Sequence, residues 1–373
     1  MDFRAPNIDA LPSLRTLFSD RSWPEPTLRT DSALRGETIL VTGAGGSLGR
    51  TLIQALRKLP VRRILAVDTS EHVLVQLQSQ FSDGSPPVKY VLGDLRHDTD
   101  RQRALAYDPD VVIHAAAYKH VPFLENRPVA AVQNNLLTTV DWERACREAG
   151  IDRFVFVSTD KAVAPTSVMG RTKRWGERWL HWCRAQTNGT SDTPTYTTLR
   201  LCNLFGSRGS VVPRFLKRLR AGDTLPLTQP DMHRWFMTRE DTATTTINIL
   251  SESPGTYVPT ACLYVSIKTL ARRLIRRVRP TTNPDAWIRW VGRRPGERLH
   301  ESRWADREDI RSVEGATLSR VIEASPPVSL PERIAALRTA CAENDGEAVQ
   351  SLLQIEDPVT ETNTAFAQST REA

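Results

Sequence analysis

Short apolar runs alternate with helical-period segments between Thr38 and Leu201, and this rhythm organises the first half of the chain. The runs TILVT (38–42), RILAVD (63–68), KYVLGD (89–94), DVVIHAA (110–116), RFVFVS (153–158) and YTTLRL (196–201) are apolar and rich in β-branched residues. Near-continuous apolarity suits strands buried on both faces, as in a parallel sheet. Between the first two runs, Leu48, Leu52, Ile53, Leu56 and Leu59 recur at helical spacing and form one apolar face. Strand, helix and strand in regular succession predict an α/β fold built on a doubly wound parallel sheet.

The rhythm changes at both ends. Residues 1–36 hold Pro6, Pro12, Pro24 and Pro26 and little periodicity, which predicts an N-terminal arm and not a domain. Residues 37–200 are expected to form the dinucleotide-binding domain, with about 231–260 returning to it. After residue 200, loops rich in Gly, Ser, Arg and Pro interrupt shorter helices, so 201–230 and 261–330 are read as a smaller substrate-binding lobe. Ile334, Leu337, Val349, Leu352 and Leu353 predict a helical pair over 331–356, and the polar, Thr-rich 357–373 reads as a disordered tail.

Composition narrows the class. A chain of 373 residues, 40% hydrophobic and 25% charged, suits a soluble globular protein with a full core. No stretch approaches the ~20 apolar residues of a membrane helix, and the N-terminus lacks the apolar centre of a signal peptide. A cytoplasmic protein without membrane insertion is expected. Cys146, Cys183, Cys202, Cys262 and Cys341 are scattered, which fits reduced thiols and no metal site. The net charge of +7 is mostly arginine. RRLIRRVRP (272–280) and RFLKRLR (214–220) could meet nucleic acid, an anionic small molecule such as a diphosphate, or only solvent. An apolar stripe of Leu270, Leu274, Ile275 and Val278 favours a solvated basic face, so no nucleic-acid partner is expected.

Candidate chemistry sits at the strand ends. VTGAGGSLG (41–49) follows one predicted strand and opens a predicted helix. Gly43, Gly46 and Gly49, with Ser47 and Leu48 between them, let backbone approach a pyrophosphate at a helix N-terminus. Asp68, 19 residues beyond Gly49, ends the second run; an acid there bonds both ribose hydroxyls and repels a 2′-phosphate, which predicts NAD over NADP. Asp94 and Leu95 follow the third run, where Asp94 either meets an adenine or caps a helix. Ala115, Ala116 and Ala117 leave room for a dinucleotide, while Lys119 and His120 face a diphosphate or water.

Seven motifs in order carry a resemblance: VTGAGGSLG, GDLR, HAAAYKHVP, STDKAVAPTSVMGRTKR, GSRGSVVPRF, RWFMT and RRPGERLHE. They resemble the extended short-chain dehydrogenases of bacterial polysaccharide biosynthesis, the CapD-like UDP-N-acetylglucosamine 4,6-dehydratases, over roughly residues 30–355. The likeness implies a Rossmann-type fold, NAD as cofactor and a UDP-sugar as substrate. Larger members carry an N-terminal membrane region, and this chain looks like their soluble catalytic part. Self-association through helices flanking the active-site segment is also implied.

Enzymes of this broad type usually place Tyr four positions before a Lys, yet Lys173 is preceded there by Met169. A thioether moves no proton. The resemblance implies that Met169 marks a branch in which Thr159, Asp160 and Lys161 carry the proton chemistry, and in which the configuration at carbon 5 is retained. In that scheme Lys161 is the carbon 5 base, Asp160 the acid at carbon 6, and Thr159 the partner of the carbon 4 oxygen. Lys173 holds the nicotinamide ribose. Water or Asp160 is left to deprotonate the carbon 4 hydroxyl. The plain alternative for STDK is a helix cap with a surface ion pair.

On the sugar side, Asn203 and the loop 206–213 with Ser210, Val211 and Pro213 are expected to meet the nucleoside diphosphate. By similarity, Arg234, Arg294 and Glu297 are placed for diphosphate and ribose. Departures concentrate in this half. The family usually has Asn at Ala164 and Ser167 and Gly at Cys202 and Thr138. Thr260 and Cys262 stand where it has Asp and Gly. The exact sugar is therefore open, and a 4-epimerase or a non-catalytic NAD-binding regulator are the rival readings.

Overall fold

The computed structural model describes residues 11–29, 34–81, 84–186, 193–323 and 329–354; the first ten residues of the predicted arm and the predicted tail lie outside these. Six strands follow the predicted runs: β1 (Thr38–Thr42), β2 (Arg63–Asp68), β3 (Val88–Leu92), β4 (Val111–His114), β5 (Arg153–Thr159) and β6 (Thr195–Leu201). Eight more follow: β7 (Asn203–Leu204), β8 (Leu225–Leu227), β9 (His233–Met237), β10 (Gly255–Pro259), β11 (Leu263–Ser266), β12 (Ile288–Trp290), β13 (Asp309–Ser312) and β14 (Leu318–Ile322). The main sheet runs β13-β14-β10-β6-β5-β4-β1-β2-β3. Its strands pair in parallel from β10 to β3, and β14 and β13 close the other edge antiparallel. This is the Rossmann-type α/β architecture.

β3 and β4 stop two residues earlier than the apolar runs do. The chain turns away at Gly93 and Ala115, where the ladder gives way to side-chain partners. Asp94 N–H donates to Asp100 Oδ2 at 2.8 Å, and Ala115 and Ala116 N–H both donate to Thr42 Oγ1 at 3.1 Å.

Successive strand residues point to opposite faces, which builds two cores. Leu40, Leu65, Val112, Phe154 and Phe156 join one with Trp175, Trp179 and Leu180 of the helix Val168–Gln186. Leu337 and Val349 of the helices Leu330–Ala342 and Gly346–Leu352 close the same core. Ile39, Val41, Ile64, Ile113 and Val155 face the other, against Leu52, Ile53 and Leu56 of the helix Ser47–Leu56.

A smaller lobe has its own core beneath the sheet β11-β9-β7 and the pair β12-β8. Leu270, Leu274 and Ile275 of the helix Ile267–Val278 are completely buried there, each worth about 1.5–3 kcal/mol. The arginines between them turn outward: Arg272 pairs with Asp285, and Arg273 with Asp20 and the Leu17 carbonyl. Leu14 and Phe18 sink into the same core, so this part of the arm is fastened to the lobe. No helix among the described residues is long and apolar enough to cross a membrane.

Candidate functional site

A cavity of about 750 Å³ opens at the carboxyl ends of β1, β4, β5 and β6, beside the point where the strand order reverses. Its floor is the glycine turn. Gly43 has φ +66°, and a Cβ there would lie 2.9 Å from Ala116 Cα. A Cβ at Gly49 would lie 2.4 Å from the Gly43 carbonyl oxygen. Both glycines are thus needed for the turn to seat between two strands. The helix Ser47–Leu56 starts here with no side-chain cap and no acid in its first turn, leaving its N–H groups for an anion. Gly43, Gly46, Ser47, Leu48, Gly49, Ala115 and Ala117 line the cavity.

Asp68 braces this turn: its Oδ2 accepts Gly45 N–H at 2.9 Å and its Oδ1 accepts Ser70 N–H at 3.0 Å. The turn, the uncovered helix start and the acid at the end of β2 together fit a dinucleotide. Asp94 is neither cap nor free acceptor. Arg96 holds it from both guanidinium and backbone at 3.0 Å, and this bond keeps its carboxyl below the usual range. Asp68, Asp94 and Leu95 lie outside the cavity lining.

β5 delivers the Thr159–Asp160–Lys161 segment. Thr159 ends the strand and caps a short turn, Asp160–Ala162. Lys161 Nζ lies 2.9 Å from Asp160 Oδ1 and 3.1 Å from Asn203 Oδ1, with Glu301 Oε1 at 4.0 Å. Burial favours its neutral form, but the Asp160 and Glu301 carboxylates outweigh it and raise its pKa. Thr159 Oγ1 donates to Asp160 Oδ1 at 2.9 Å. Thr159, Lys161, Met169 and Lys173 line the cavity. Asp160, only 1% exposed, sits behind Thr159 and Lys161, and its Oδ2 has no partner among the described residues. The STDK segment thus holds a cap and an ion pair, but the pair is largely buried and not on the surface.

The helix Val168–Gln186 carries Met169 and Lys173. Lys173 Nζ lies 3.9 Å from the centre of the Phe156 ring, and burial pulls its pKa down to about 7 against the pull of Glu177. The helix approaches closely because residue 170 is glycine: a Cβ there would be 2.3 Å from the Lys161 carbonyl oxygen.

The lobe side is tied down by bonds the sequence did not disclose. Lys119 Nζ donates to Arg208 O at 2.8 Å, and Arg208 N–H donates to Ser47 Oγ at 2.9 Å, so the loop 206–213 crosses the glycine turn. Lys119 and His120 both line the cavity. His120 abuts Gly209, whose Cβ would be 3.0 Å from the ring. Ser210 and Val211 line the cavity, while Pro213 lies outside the lining, half-buried. Asn203 Nδ2 donates to Trp235 O at 2.9 Å, which turns its Oδ1 to Lys161. Arg234 lines the cavity but donates to the carbonyls of His233, Arg298 and Leu299 at 2.7, 2.8 and 3.1 Å. Arg294 and Glu297 also line it, joined by Arg294 N–H to Glu297 Oε2 at 3.1 Å.

Two positions at the site escaped the sequence reading. Asn135, inside a π-helical turn, clasps Tyr118 N–H at 2.8 Å and Tyr118 O at 3.0 Å and fixes the edge of the cavity. Its neighbours Gln133 and Asn134 are polar too, so nothing in the sequence singled it out. Glu301 closes the RRPGERLHE motif and is 5% exposed. Its segment has no period, so only tertiary folding brings it to Lys161.

The family model described as polysaccharide biosynthesis protein matches residues 39–323. The chain is 33% identical over 274 residues to the capsular polysaccharide biosynthesis protein CapD of Staphylococcus aureus, covering 72% of this chain and 45% of that one. It therefore spans less than half the length of that relative. It is 32% identical over 269 residues to a UDP-N-acetylglucosamine 4,6-dehydratase (inverting) of Campylobacter jejuni, covering 71% and 76% respectively. Among solved structures, Pen from Bacillus thuringiensis aligns with a TM-score of 0.68 at 27% identity, covering 73% of this chain and 84% of that one. On these grounds, and on the seven motifs in register, the chain belongs to the CapD-like polysaccharide biosynthesis protein family.

Proposed function

We propose that the chain is an NAD-dependent nucleotide-sugar 4,6-dehydratase that converts UDP-N-acetylglucosamine to its 4-keto-6-deoxy product with the carbon 5 configuration retained. The observation that carries this reading is the Thr159–Asp160–Lys161 cluster, which faces the dinucleotide cradle across from Met169 and Lys173. NAD held on the glycine turn supplies a hydride acceptor for carbon 4 and a donor for carbon 6. Thr159 bonds the carbon 4 oxygen. Once carbon 4 is a ketone, the carbon 5 hydrogen is acidic, and Lys161 takes it in the small neutral fraction that its raised pKa leaves. Asp160 takes the carbon 4 hydroxyl proton through the Thr159 hydroxyl, which its Oδ1 contacts, as the hydride leaves carbon 4, and returns that proton along the same path to the carbon 6 oxygen. Carbon 6 oxygen then leaves as water. Two groups with separated proton affinities on one side of the sugar are what such an elimination requires.

Retention follows from a single base. Lys161 returns a proton to the face it came from. Lys173 anchors the nicotinamide ribose and lends positive field, while Arg294 and the backbone of the loop 206–213 meet the diphosphate. Self-association accompanies this reading, supported by the resemblance.

Incubating the NAD-loaded chain with UDP-N-acetylglucosamine tests it. A product lighter by one water, carrying a ketone, is expected. A product of unchanged mass would make the chain a 4-epimerase, and a folded, NAD-loaded protein without turnover would make it a binding relative.

A further inference from the structure

Glu301 is a buried acid that the reaction as written does not use. Its Oε1 lies 4.0 Å from Lys161 Nζ and 3.8 Å from Arg234 Nε, and its Oε2 has no partner among the described residues. It lines a second, smaller cavity of about 150 Å³ with Lys161, Arg234, Glu297 and Arg298. Lys161 alone of the proton-moving groups borders both cavities. Trp235 Nε1–H donates to Glu301 O at 3.0 Å, which anchors the acid's backbone beside β9.

We infer that Glu301 is a positioning residue that, with Asp160, flanks Lys161 and sets its strength as the carbon 5 base. The inference rests on the proposed dehydratase reading for its purpose, though not for its test. The charged groups facing Lys161 are Asp160 on its own turn, Arg234 on β9, and Glu301 on the segment after β12. Glu301 in turn is faced by Lys161, Asp160, Arg234 and Arg298, and shares its cavity with Glu297. Two carboxylates against one nearby guanidinium favour the ammonium form of Lys161. A lysine held that way binds the carbon 5 proton more tightly than an isolated buried amine would. Burial raises the pKa of Glu301 itself while Lys161 opposes the rise, so the two groups compete for protons and each sets the other's charge.

The direct test reads Lys161 without substrate. Trace acetylation of the full NAD-loaded chain with acetic anhydride, followed across pH on the Lys161 peptide by mass spectrometry, reports when this amine becomes neutral. In Glu301→Gln the apparent pKa of Lys161 should fall by about one unit, as expected for losing an opposite charge at this distance. Glu301→Asp withdraws the carboxylate by one methylene, so it should show a smaller fall of the same sign and retain more activity. It also decides the question should the Gln variant fail to fold. An unchanged Lys161 profile in the folded variants overturns the inference. With UDP-N-acetylglucosamine, the acid limb of kcat/KM should move down with the labelling profile. Absence of turnover in the unmodified chain would count against the proposed reaction alone, because the labelling still decides Glu301.

Discussion

Lys161 meets oxygens from three separate stretches, its neighbour Asp160, Asn203 after β6 and Glu301 far along the chain, and this convergence defines the site at the residue scale. Lys161→Ala should lower kcat by about 10³-fold or more while NAD binding and folding persist, measurable by turnover and by cofactor retained after gel filtration. Lys173 behaves differently. Burial holds its pKa near 7, below the ordinary 10.5, so between those values the unfolded chain binds a proton that the folded chain does not. This group therefore makes stability rise with pH across that window. Lys173→Met should flatten the rise, seen as urea midpoints measured at several pH values between the two limits. The sequence displayed Lys161 and Lys173 through their motif, together with the missing phenol at Met169. It could not display Glu301, because the contact depends on how an irregular loop folds back, nor the ties that turn Arg234 and Lys119 toward backbone carbonyls.

At the scale of elements, a buried charge cluster fixes the helix that carries Met169 and Lys173. Arg200 on β6 has a fully buried side chain and donates to Glu177 of that helix and to Glu308 just before β13. Arg200→Met would leave two buried carboxylates sharing Arg174 as their remaining cation and should cost about 3–5 kcal/mol, read by chemical denaturation. Arg200 depresses the Glu308 pKa from 4.5 to about 2 against the opposing effect of burial. Its contribution is complete above pH 4.5 and disappears as the pH falls toward 2, so the Arg200 variant should lose acid sensitivity there. Gly170→Ala tests the helix from its other end: its Cβ would press the Lys161 carbonyl 2.3 Å away, so activity should drop roughly tenfold or more with little loss of NAD affinity. Strands β1, β2, β4, β5 and β6 were legible because burial on both faces leaves continuous apolar runs. The short strands β7, β8 and β12 were not, since two or three residues carry no period.

At the scale of the whole molecule, a doubly wound sheet holds the cofactor cradle and a lobe reaches back over it. The loop 206–213 makes the join, through Lys119 on one side and Ser47 on the other. The stretch 11–29 and the basic helix Ile267–Val278 stiffen the lobe from behind. This architecture suits both dehydration and epimerisation, and the proposed role of the Thr159–Asp160–Lys161 cluster is what separates them. Deuterium placement in the product separates them most directly. With UDP-N-acetylglucosamine in heavy water, the account predicts a 4-keto-6-deoxy product bearing one solvent deuteron at carbon 5, in retained configuration, and none delivered to carbon 6 by the returning hydride. A product of unchanged mass with no solvent deuterium on its carbons would contradict it.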